Sequence, residues 1–281
     1  MNQGAINAAV TMGQLQKQID TIGHNLANLN TYGYKRRQVE FSDLLYQQVN
    51  NLPIPEESNA DNRLTPGGIR LGSGGALAET NVNLKLGAIQ ETGRALDFAL
   101  LDPNQFLQID SMDANGDTTR MFTRDGALYL QPDAGNADRL NLVTKNGYFV
   151  IGTNGPIQIP AGYDKIEVAE NGTIRVKMRD GSAVEAGRLD LVNILRPQLL
   201  ESVGGNAYAF GDLQGLNLNE NDVMQAVPQQ DAQVRQGALE SSNVDLATAM
   251  TRLLNAQRAY QFNARAVTIA DESAGVINNI R

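Results

Sequence analysis

Apolar residues at heptad spacing occupy both ends of the chain, and this pattern constrains the fold more than any other. Near the N-terminus, Ala5 and Met12 belong to a series that continues to Leu29 at alternating intervals of three and four residues. Near the C-terminus, a similar series runs from Leu246 to Ile277. Such spacing is typical of a helix that is buried along one narrow stripe. We therefore expect a long helix at each end.

Either helix alone fits an ordinary amphipathic helix on a globular core, but two of them at opposite ends favour pairing as a coiled coil. Gly13 and Gly23 each lower helix stability by up to about 1 kcal/mol relative to Ala, so the first helix needs a packing partner. In the second helix, the stripe is interrupted at the polar Gln257, and Ser242 or Asn243 is the expected N-cap. The residues expected in the helical seam are Met12, Leu15, Ile19, Ile22, Leu26 and Leu29 at one end, and Leu246, Met250, Leu253, Tyr260 and Val267 at the other.

Between the two ends, a Pro- and Gly-rich connector precedes a region with the pattern of β-structure. Residues 50–80 have little periodicity and are longer than an ordinary loop, so we expect a linker or an extended arm. Residues 81–225 hold short apolar runs separated by dipeptides that supply positive φ for hairpin turns. These dipeptides are Asn115-Gly116, Asp125-Gly126, Asn146-Gly147, Asn154-Gly155, Asn171-Gly172 and Asp180-Gly181.

The predicted fold class is α+β, with terminal helices and a central, mainly antiparallel β domain that is barrel- or sandwich-like. The expected strands include "FLQID", "MFTR" and "YFVI", and "IEVAENGTIRVKM" is the clearest hairpin. The predicted division is an N-terminal helix and signature, a linker or arm, a β domain, and a C-terminal connector with its helix. Their expected bounds are 1–49, 50–80, 81–225 and 226–281.

The charge distribution argues against nucleic acid and anionic membranes as main partners. The formal charge is −8 over 281 residues, and nearly all of the excess lies in the middle of the chain. There is no Cys, which excludes disulfides and thiolate metal sites. No secretory signal is visible, and no apolar stretch approaches the ~18 residues of a spanning helix.

The sequence offers no candidate for catalysis or for metal binding. His24 is the one histidine, and no nucleophile or metal motif accompanies it. "DANGDT" (113–118) imitates the start of a calcium loop but has Thr118 and Arg124 where Gly and Glu are required, so a hairpin turn is expected. "GIRLGSGG" (68–75) lacks the Lys of a phosphate loop. We therefore predict no enzyme activity, no cofactor and no metal.

The end of the first helix carries a motif that resembles a known family. "NLANLNTYGYK" (25–35) is similar to the N-terminal signature of bacterial flagellar rod and hook proteins, which typically reads Asn-Asn-Leu-Ala-Asn followed by Asn/Thr-x-Gly-Phe/Tyr-Lys. His24 stands at the first Asn of that pattern, and the rest of the motif matches.

Three further motifs extend the resemblance along the chain. "TRDGALYL" (123–130) and "LVTKNGYFVIGTNGPIQIP" (142–160) are similar to central motifs of the same family. "GALESSNVDLATAMTRLLNAQRAYQFNARAV" (237–267) is similar to its C-terminal signature and helix. Four motifs in the same order are highly specific. Their order and the chain length fit a distal-rod-type protein better than the larger hook proteins, although one segment also resembles the proximal rod subunit.

The resemblance implies a structural subunit that leaves the cell through the flagellar type III export apparatus without a cleaved signal. Such subunits polymerise outside the cytoplasmic membrane into a tube, with other rod and hook subunits as neighbours. Asn28 or Asn30 is expected to end the first helix, and Gly33 to serve the turn. We hypothesise that Lys35 and the following arginines meet acidic neighbours. Asn25, Asn28, Gly33, Lys35, Asn243 and Val244 complete the expected assembly residues.

Two other classes of protein stay open as alternatives. A rod-associated muramidase requires an additional domain with paired carboxylates, and an exported cap or adhesin-like module requires that the rod be complete without it. A proximal rod subunit or a hook-type subunit is the alternative within the family.

Overall fold

A computed structural model describes most of the chain. The described residues are 3–43, 47–49, 69–71, 75–112, 118–133 and 135–279. They form two compact units. The terminal unit comprises Met1–His24, Gln38–Asn81 and Ala247–Arg281, and the central unit comprises Asn25–Arg37 and Val82–Leu246. The central unit therefore combines a short N-terminal segment with the main β-rich part of the chain.

Helices lie mainly at the two ends of the chain, and strands fill most of the length between them. The α-helices of the described residues are α1 (Gln3–Ala27), α2 (Glu220–Val223) and α3 (Leu246–Asn279). The strands are β1 (Arg37–Asp43), β2 (Gln47–Val49), β3 (Ile69–Leu71), β4 (Gly75–Val82), β5 (Ile89–Glu91), β6 (Phe98–Leu100), β7 (Gln105–Met112), β8 (Thr118–Thr123), β9 (Leu128–Pro132), β10 (Arg139–Thr144), β11 (Phe149–Gly152), β12 (Gly155–Pro156), β13 (Gln158–Pro160), β14 (Tyr163–Val168), β15 (Thr173–Met178), β16 (Ala183–Arg188), β17 (Leu191–Ile194), β18 (Leu200–Gly204), β19 (Ala207–Phe210), β20 (Met224–Ala226), β21 (Val234–Gln236) and β22 (Ala238–Glu240).

The terminal unit holds most of both long helices and small β ladders. β1 pairs with β4, and β2 pairs with β3 in antiparallel register from Gln47↔Leu71 to Val49↔Ile69. The predicted connector at 50–80 therefore includes β3 and most of β4, while its residues 50–68 and 72–74 lie outside the described part of the chain.

The central unit is built on one large sheet with mainly antiparallel pairing. Its strand order is β13-β10-β11-β7-β8-β19-β18, and β9, β12, β17 and β20 pair beside this path. β14, β15 and β16 form a second sheet, while β21 pairs with β6 and β22 pairs with β5. This arrangement confirms an α and β protein with a mainly antiparallel β domain between terminal helices.

Four of the predicted turn dipeptides connect paired antiparallel strands. The glycines at these turns have positive φ: 82° at Gly147, 109° at Gly155, 78° at Gly172 and 87° at Gly181. The prediction for Asp125-Gly126 was wrong, because β8 and β9 do not pair with each other. A Cβ on Gly126 would lie 1.7 Å from the carbonyl oxygen of Phe98, so this glycine permits a close backbone approach. Asn115-Gly116 lies outside the described residues.

Aliphatic side chains fill most of the core, as the low aromatic content of 5% predicts. The largest buried cluster lies in the central unit and includes Leu107, Leu142 and Ile174, each at most 1% exposed. A second cluster contains Phe106 and Tyr208, whose rings meet edge to face at a centroid distance of 6.0 Å. Edge-to-face contact is favourable for aromatic rings and fixes their orientation.

Candidate functional site

Three charged side chains meet in the interior of the central unit, and we call Lys35, Arg124 and Glu240 together the junction. Lys35 is 0% exposed, and Arg124 and Glu240 are each 2% exposed. Lys35 follows the turn after α1, Arg124 follows β8, and Glu240 ends β22. The junction thus joins segments that are up to 205 residues apart in the sequence.

The carboxylate of Glu240 is the anion that binds both cations. Its Oε1 accepts hydrogen bonds from Lys35 Nζ at 2.6 Å and from the backbone N–H of Gly87 at 2.7 Å. Its Oε2 accepts a hydrogen bond from Arg124 Nε at 2.8 Å. Charge-assisted bonds of this kind are short and strong, and here they satisfy both carboxylate oxygens.

Backbone carbonyl groups complete the coordination of the two cations. Lys35 Nζ also donates to the carbonyl oxygens of Leu84 at 3.2 Å and Lys85 at 2.9 Å. The Arg124 guanidinium donates to the carbonyl oxygens of Leu100, Asp102, Pro103 and Gln105. These dipoles offset the positive charge that a single carboxylate leaves uncompensated in a buried site.

Burial changes the acid–base behaviour of the junction. Loss of hydration, together with the nearby positive charge of Arg124, lowers the pKa of Lys35 to about 8, and the attraction of Glu240 only partly opposes this. Burial also lowers the pKa of Arg124, against the influence of Glu240. Because the Lys35 side chain is 0% exposed and its ammonium donates to three oxygens, the group holds segments together and has no access to a substrate.

Gly33 allows the N-terminal segment to reach the junction. Its φ is 69°, and its N–H donates to the backbone oxygen of Glu240 at 2.7 Å. A Cβ at this position would lie 2.4 Å from the carbonyl oxygen of Arg124. The glycine is therefore required both for the left-handed conformation and for the close approach of two backbones.

Asn25 and Tyr34 fix the turn that follows α1. The Asn25 side chain binds the backbone of Arg37 through both amide atoms, since Nδ2 donates to the carbonyl oxygen at 2.8 Å and Oδ1 accepts from the N–H at 2.9 Å. Tyr34 Oη donates to the same Oδ1 at 3.1 Å. Burial raises the pKa of Tyr34, which keeps this donor protonated. The polar end of the helix therefore serves to fold the chain back into the central unit.

Asn243 links the same turn to the C-terminal segment, which corrects its predicted role as an N-cap. Its Oδ1 accepts from the N–H of Arg36 at 2.8 Å, and its Nδ2 donates to the carbonyl oxygens of Asn83 and Lys85, each at 2.8 Å. α3 begins at Leu246, beyond the hydrogen bond that the Ser242 hydroxyl accepts from the N–H of Val244. Both predicted caps are therefore wrong. Tertiary partners bind the Asn243 side chain, and the Ser242 hydroxyl accepts from Val244, which precedes α3.

Two further expectations about the N-terminal signature need correction. α1 ends at Ala27, and neither Asn28 nor Asn30 adopts positive φ, since the left-handed residue of this turn is Gly33. Asn28 instead accepts a hydrogen bond from the hydroxyl of Thr31 at 3.2 Å. The hypothesis that Lys35 meets acidic neighbours does not fit its burial, because its charge is used within the subunit.

On α1, the predicted seam coincides with the less exposed side of the helix. Ile22 is 7% exposed, and the other predicted residues are partly buried. Gly13 and Gly23 lie on the exposed side. The partly buried members are Met12, Leu15, Ile19, Leu26 and Leu29.

On α3, the less exposed face differs from the predicted one at its start. Leu246 and Met250 are 45% and 44% exposed, whereas Ala249 and Ala256 are 9% and 4% exposed. Gln257 is exposed and does not interrupt this face. The less exposed series runs through Ala249, Leu253, Ala256, Tyr260, Asn263, Val267 and Ala270, mostly at alternating steps of four and three residues.

The opposite side of α3 carries a second apolar series that the sequence interpretation missed. Phe262, Ile269 and Val276 are 68%, 63% and 58% exposed and recur every seven residues. At 100° per residue, they lie on the far side of the helix from Leu253 and Tyr260. We call this series the outer face of α3. Its heptad spacing was the signal that could have revealed it.

Arg124 and Glu240 were also missed as site residues, although both lie inside motifs that the sequence analysis quoted. Their positions inside these motifs were the available signal. Val244 is partly buried, and His24 is exposed on α1. Within the described residues, no group of three or more His, Cys, Asp or Glu side chains is placed to hold a metal ion. None of the described helices has an apolar stretch long enough to cross a bilayer.

Three family models match three separate parts of the chain. Residues 7–35 match a model described as flagella basal body rod protein, residues 101–176 match the D1 domain of the flagellar hook protein FlgE/F/G, and residues 235–280 match the C-terminal region of the flagellar basal body rod FlgEFG proteins. Each matched region contributes one charged residue of the junction: Lys35, Arg124 and Glu240, respectively.

Individual relatives are similar to the chain from end to end. The flagellar hook-basal body complex protein FlhP of Bacillus subtilis is 41% identical, with 100% of both chains covered. The flagellar basal-body rod protein FlgG of Borreliella burgdorferi is 31% identical over 98% of this chain and 97% of its own length. FlgG of Agrobacterium fabrum is 32% identical, with 96% of each chain covered.

Proposed function

Because the chain belongs to the family of flagellar basal-body rod and hook proteins and is thus a structural protein of the flagellar basal body, we propose that it polymerises as a subunit of the distal rod. The similarity to rod proteins named FlgG over 96–98% of this chain supports the rod assignment. A proximal rod or hook-type position is the alternative within the family.

The observation that carries polymerisation is that α3 is apolar on two opposite sides. Its less exposed face contains Leu253 and Tyr260, and its outer face exposes Phe262 and Ile269 to water. An apolar helix face that the subunit itself leaves in water is typical of a surface that a partner covers. In the proposed assembly, α1 pairs with α3 as a coiled coil, and neighbouring subunits cover the outer face.

A tube follows if the contact between neighbours joins two different surfaces without closing into a ring. The partners in this proposal are further copies of the chain, other rod and hook subunits, and the flagellar type III export apparatus. Export precedes assembly, so the subunit acts outside the cytoplasmic membrane. The torque of the motor would pass along the rod to the hook through these repeated contacts.

The proposed role includes no catalysis. The buried ammonium of Lys35 donates to three oxygens and is not available as a nucleophile or as a base. We expect elemental analysis of protein purified without chelator to find less than one metal ion per chain. A stoichiometric metal would contradict this part of the proposal.

Substitution of the predicted helical seam tests the proposal. Leu26→Asp and Leu253→Asp each introduce a charge into an apolar seam, at a cost of roughly 2–5 kcal/mol for the loss of packing and more for the buried charge. Each variant should be produced and exported but absent from purified rods, and the cells should be non-motile with truncated basal bodies. Gln261→Asp, at an exposed position of the same helix as Leu253, should leave motility intact.

Two outcomes would contradict the paired-helix model. One is a Leu253→Asp strain that swims normally and carries the variant in its rods. The other is degradation of the variant before export, which would mean that the helices stabilise the monomer. Deletion of the gene distinguishes the possible positions along the rod. Basal bodies that have a proximal rod but lack a distal rod and hook would support the distal position, whereas complete rods would contradict it.

A further inference from the structure

The strands β5 and β6 depend on a segment that comes late in the chain. Each of them forms a two-stranded ladder, β5 with β22 and β6 with β21. The register runs from Ala238↔Glu91 to Glu240↔Ile89 in one ladder and from Val234↔Leu100 to Gln236↔Phe98 in the other. Until residues 234–240 have docked, the backbone groups of β5 and β6 lack these partners, although Phe98 lies in the main core.

The same late segment brings the carboxylate of the junction. Among the described residues, Glu240 is the one carboxylate that binds Lys35 and Arg124. Without it, the fold would bury two cations that only carbonyl dipoles offset. A buried charge without its counterion is strongly destabilising, so the remaining segments have little tendency to hold Lys35 in place.

The N-terminal segment makes some contacts that do not require the late segment. The N–H of Asn83 donates to the carbonyl oxygen of Arg36 at 2.9 Å, and Asn206 Nδ2 donates to that of Tyr32 at 2.8 Å. Neither contact neutralises the ammonium of Lys35. The bonds that close the segment from the other side come from the backbone of Glu240 and the side chain of Asn243.

We propose that residues 234–243 are the closing segment of the fold. Their docking locks the N-terminal signature onto the rest of the central unit, with Glu240 supplying the one carboxylate that binds both buried cations. The central unit is therefore completed as its last step, after the large sheet has formed. This proposal does not depend on whether the subunit occupies the distal rod, the proximal rod or the hook.

The position of the closing segment in the sequence links closure of the central unit to the presence of α3. α3 begins at Leu246, six residues after Glu240. The segment that closes the central unit is therefore followed directly by the helix whose outer face needs a neighbour. A chain that lacks the closing segment also lacks the helix, so an incomplete subunit has neither a locked body nor its apolar C-terminal surface.

Pulsed hydrogen exchange during refolding of the full-length protein tests the order of events. We expect the amides of β7 and β8 to gain protection first. The amides of Gly33 and Gly87, which donate to Glu240, should then gain protection together with those of β5 and β22 in the final step. Protection of Gly33 before β22 would overturn the proposal, because the signature would then dock without the closing segment.

Glu240→Gln supplies the second test, and Glu91→Gln is its matched control. Glu91 lies on β5 opposite Ala238 and pairs with Arg235 of the closing segment, but it is 74% exposed. Because an exposed ion pair contributes little to stability, Glu91→Gln reports the same chemical change outside the junction. In Glu240→Gln, exchange at Gly33, Gly87, β5 and β22 should become at least roughly tenfold faster, while early protection of β7 and β8 stays within about twofold. The control should behave as the unmodified protein.

The variant is informative even if it does not complete its fold. Persistent protection of β7 and β8 without protection of β5 and β22 supports the proposal, since the early step is then intact. Loss of protection at β7 and β8 at the same stage would overturn it, because the junction would belong to the folding nucleus.

Discussion

The junction and the outer face of α3 place their residues in opposite environments. At the junction, Lys35, Arg124 and Glu240 are almost fully withdrawn from water, and each charged group finds its bonding partners within one subunit: one shared carboxylate and several backbone carbonyl oxygens. On the outer face, Phe262 and Ile269 remain 68% and 63% exposed and have no such match. The difference separates what the subunit completes alone from what a neighbour would cover in the proposed assembly. Motif residues can therefore serve the fold of the subunit rather than its interfaces.

The largest expected effect comes from removing the anion of the junction. Glu240→Gln should lower the free energy of unfolding of the central unit by about 3–5 kcal/mol, because two buried cations lose their counterion. Denaturant unfolding of the full-length protein measures this loss. Glu91→Gln should change the unfolding free energy by no more than about 0.5 kcal/mol, since its pair with Arg235 is exposed. Equal losses of unfolding free energy in the two variants would contradict this prediction, because the buried carboxylate would then contribute no more than the exposed one.

The next effect in size concerns the glycine that brings the N-terminal segment to the junction. Gly33→Ala should destabilise the protein by about 2–4 kcal/mol, because positive φ and the overlap with the Arg124 carbonyl both oppose a side chain. Gly13→Ala is the matched control, since nothing lies within 4 Å of the Cβ that it would add. In a helix interior, that control should stabilise by up to about 1 kcal/mol. Thermal unfolding of both variants checks the signs.

A smaller effect is the dependence of stability on pH that burial of Lys35 predicts. Its pKa falls from the usual 10.5 to about 8, so between these values the unfolded chain binds more protons than the folded one. The free energy of unfolding should therefore rise with pH in this window, by about 1.4 kcal/mol per unit of pKa difference at most. Burial raises the pKa of Tyr34 and raises that of Tyr208 to about 12, so stability should fall again above pH 10.

Lys35→Met isolates the contribution of the lysine to this profile. The variant should lose the rise between pH 8 and pH 10.5 but keep the fall caused by the tyrosines. Unfolding at a series of pH values provides the comparison. A rise of the same size in Lys35→Met would assign it to other groups and would contradict the link between burial and charge at the junction.

The smallest effect on folding should come from the outer face of α3. Ile269→Asp should change the free energy of unfolding of the isolated subunit by no more than about 0.5 kcal/mol, because the side chain is already in water. The same variant should fail to enter the rod, since assembly would bury the new charge. Unfolding of the purified subunit and its recovery in basal bodies give the two readings. A large loss of subunit stability would mean that the outer face is covered within the monomer.

Local features of the fold were predicted well from the sequence. The hairpin at Asn171-Gly172 and three similar turns depend on one or two residues whose conformation is restricted, so the dipeptide alone indicates them. The two long helices followed from heptad spacing. Asp125-Gly126 failed because its glycine permits contact with Phe98, which a turn rule does not include. The pairing of the two helices stays a prediction.

The candidate site was harder to predict because its residues are paired over long distances in the sequence. Asn243 has the residue type and the position of a helix cap, but its amide binds Arg36, Asn83 and Lys85. Lys35 precedes two arginines and was interpreted as part of an exposed basic cluster. On α3, Leu246 and Met250 fit the heptad pattern as well as their neighbours do, and only burial distinguishes Ala249 and Ala256 from them.

The sequence by itself determined the two terminal helices, the β-rich region between them, most of the tight turns and the family, because each rests on short-range spacing or on residues within one motif. Tertiary structure alone decided that Asn25, Tyr34 and Lys35 of the N-terminal signature point into the subunit. The decisive contact joins Lys35 to Glu240, which are 205 residues apart in the sequence. The attraction between the two charges can offset the cost of removing them from water only after the fold has brought them together. The outer face of α3 is the converse case: its spacing is visible in the sequence, but only the structure shows that the subunit leaves it exposed.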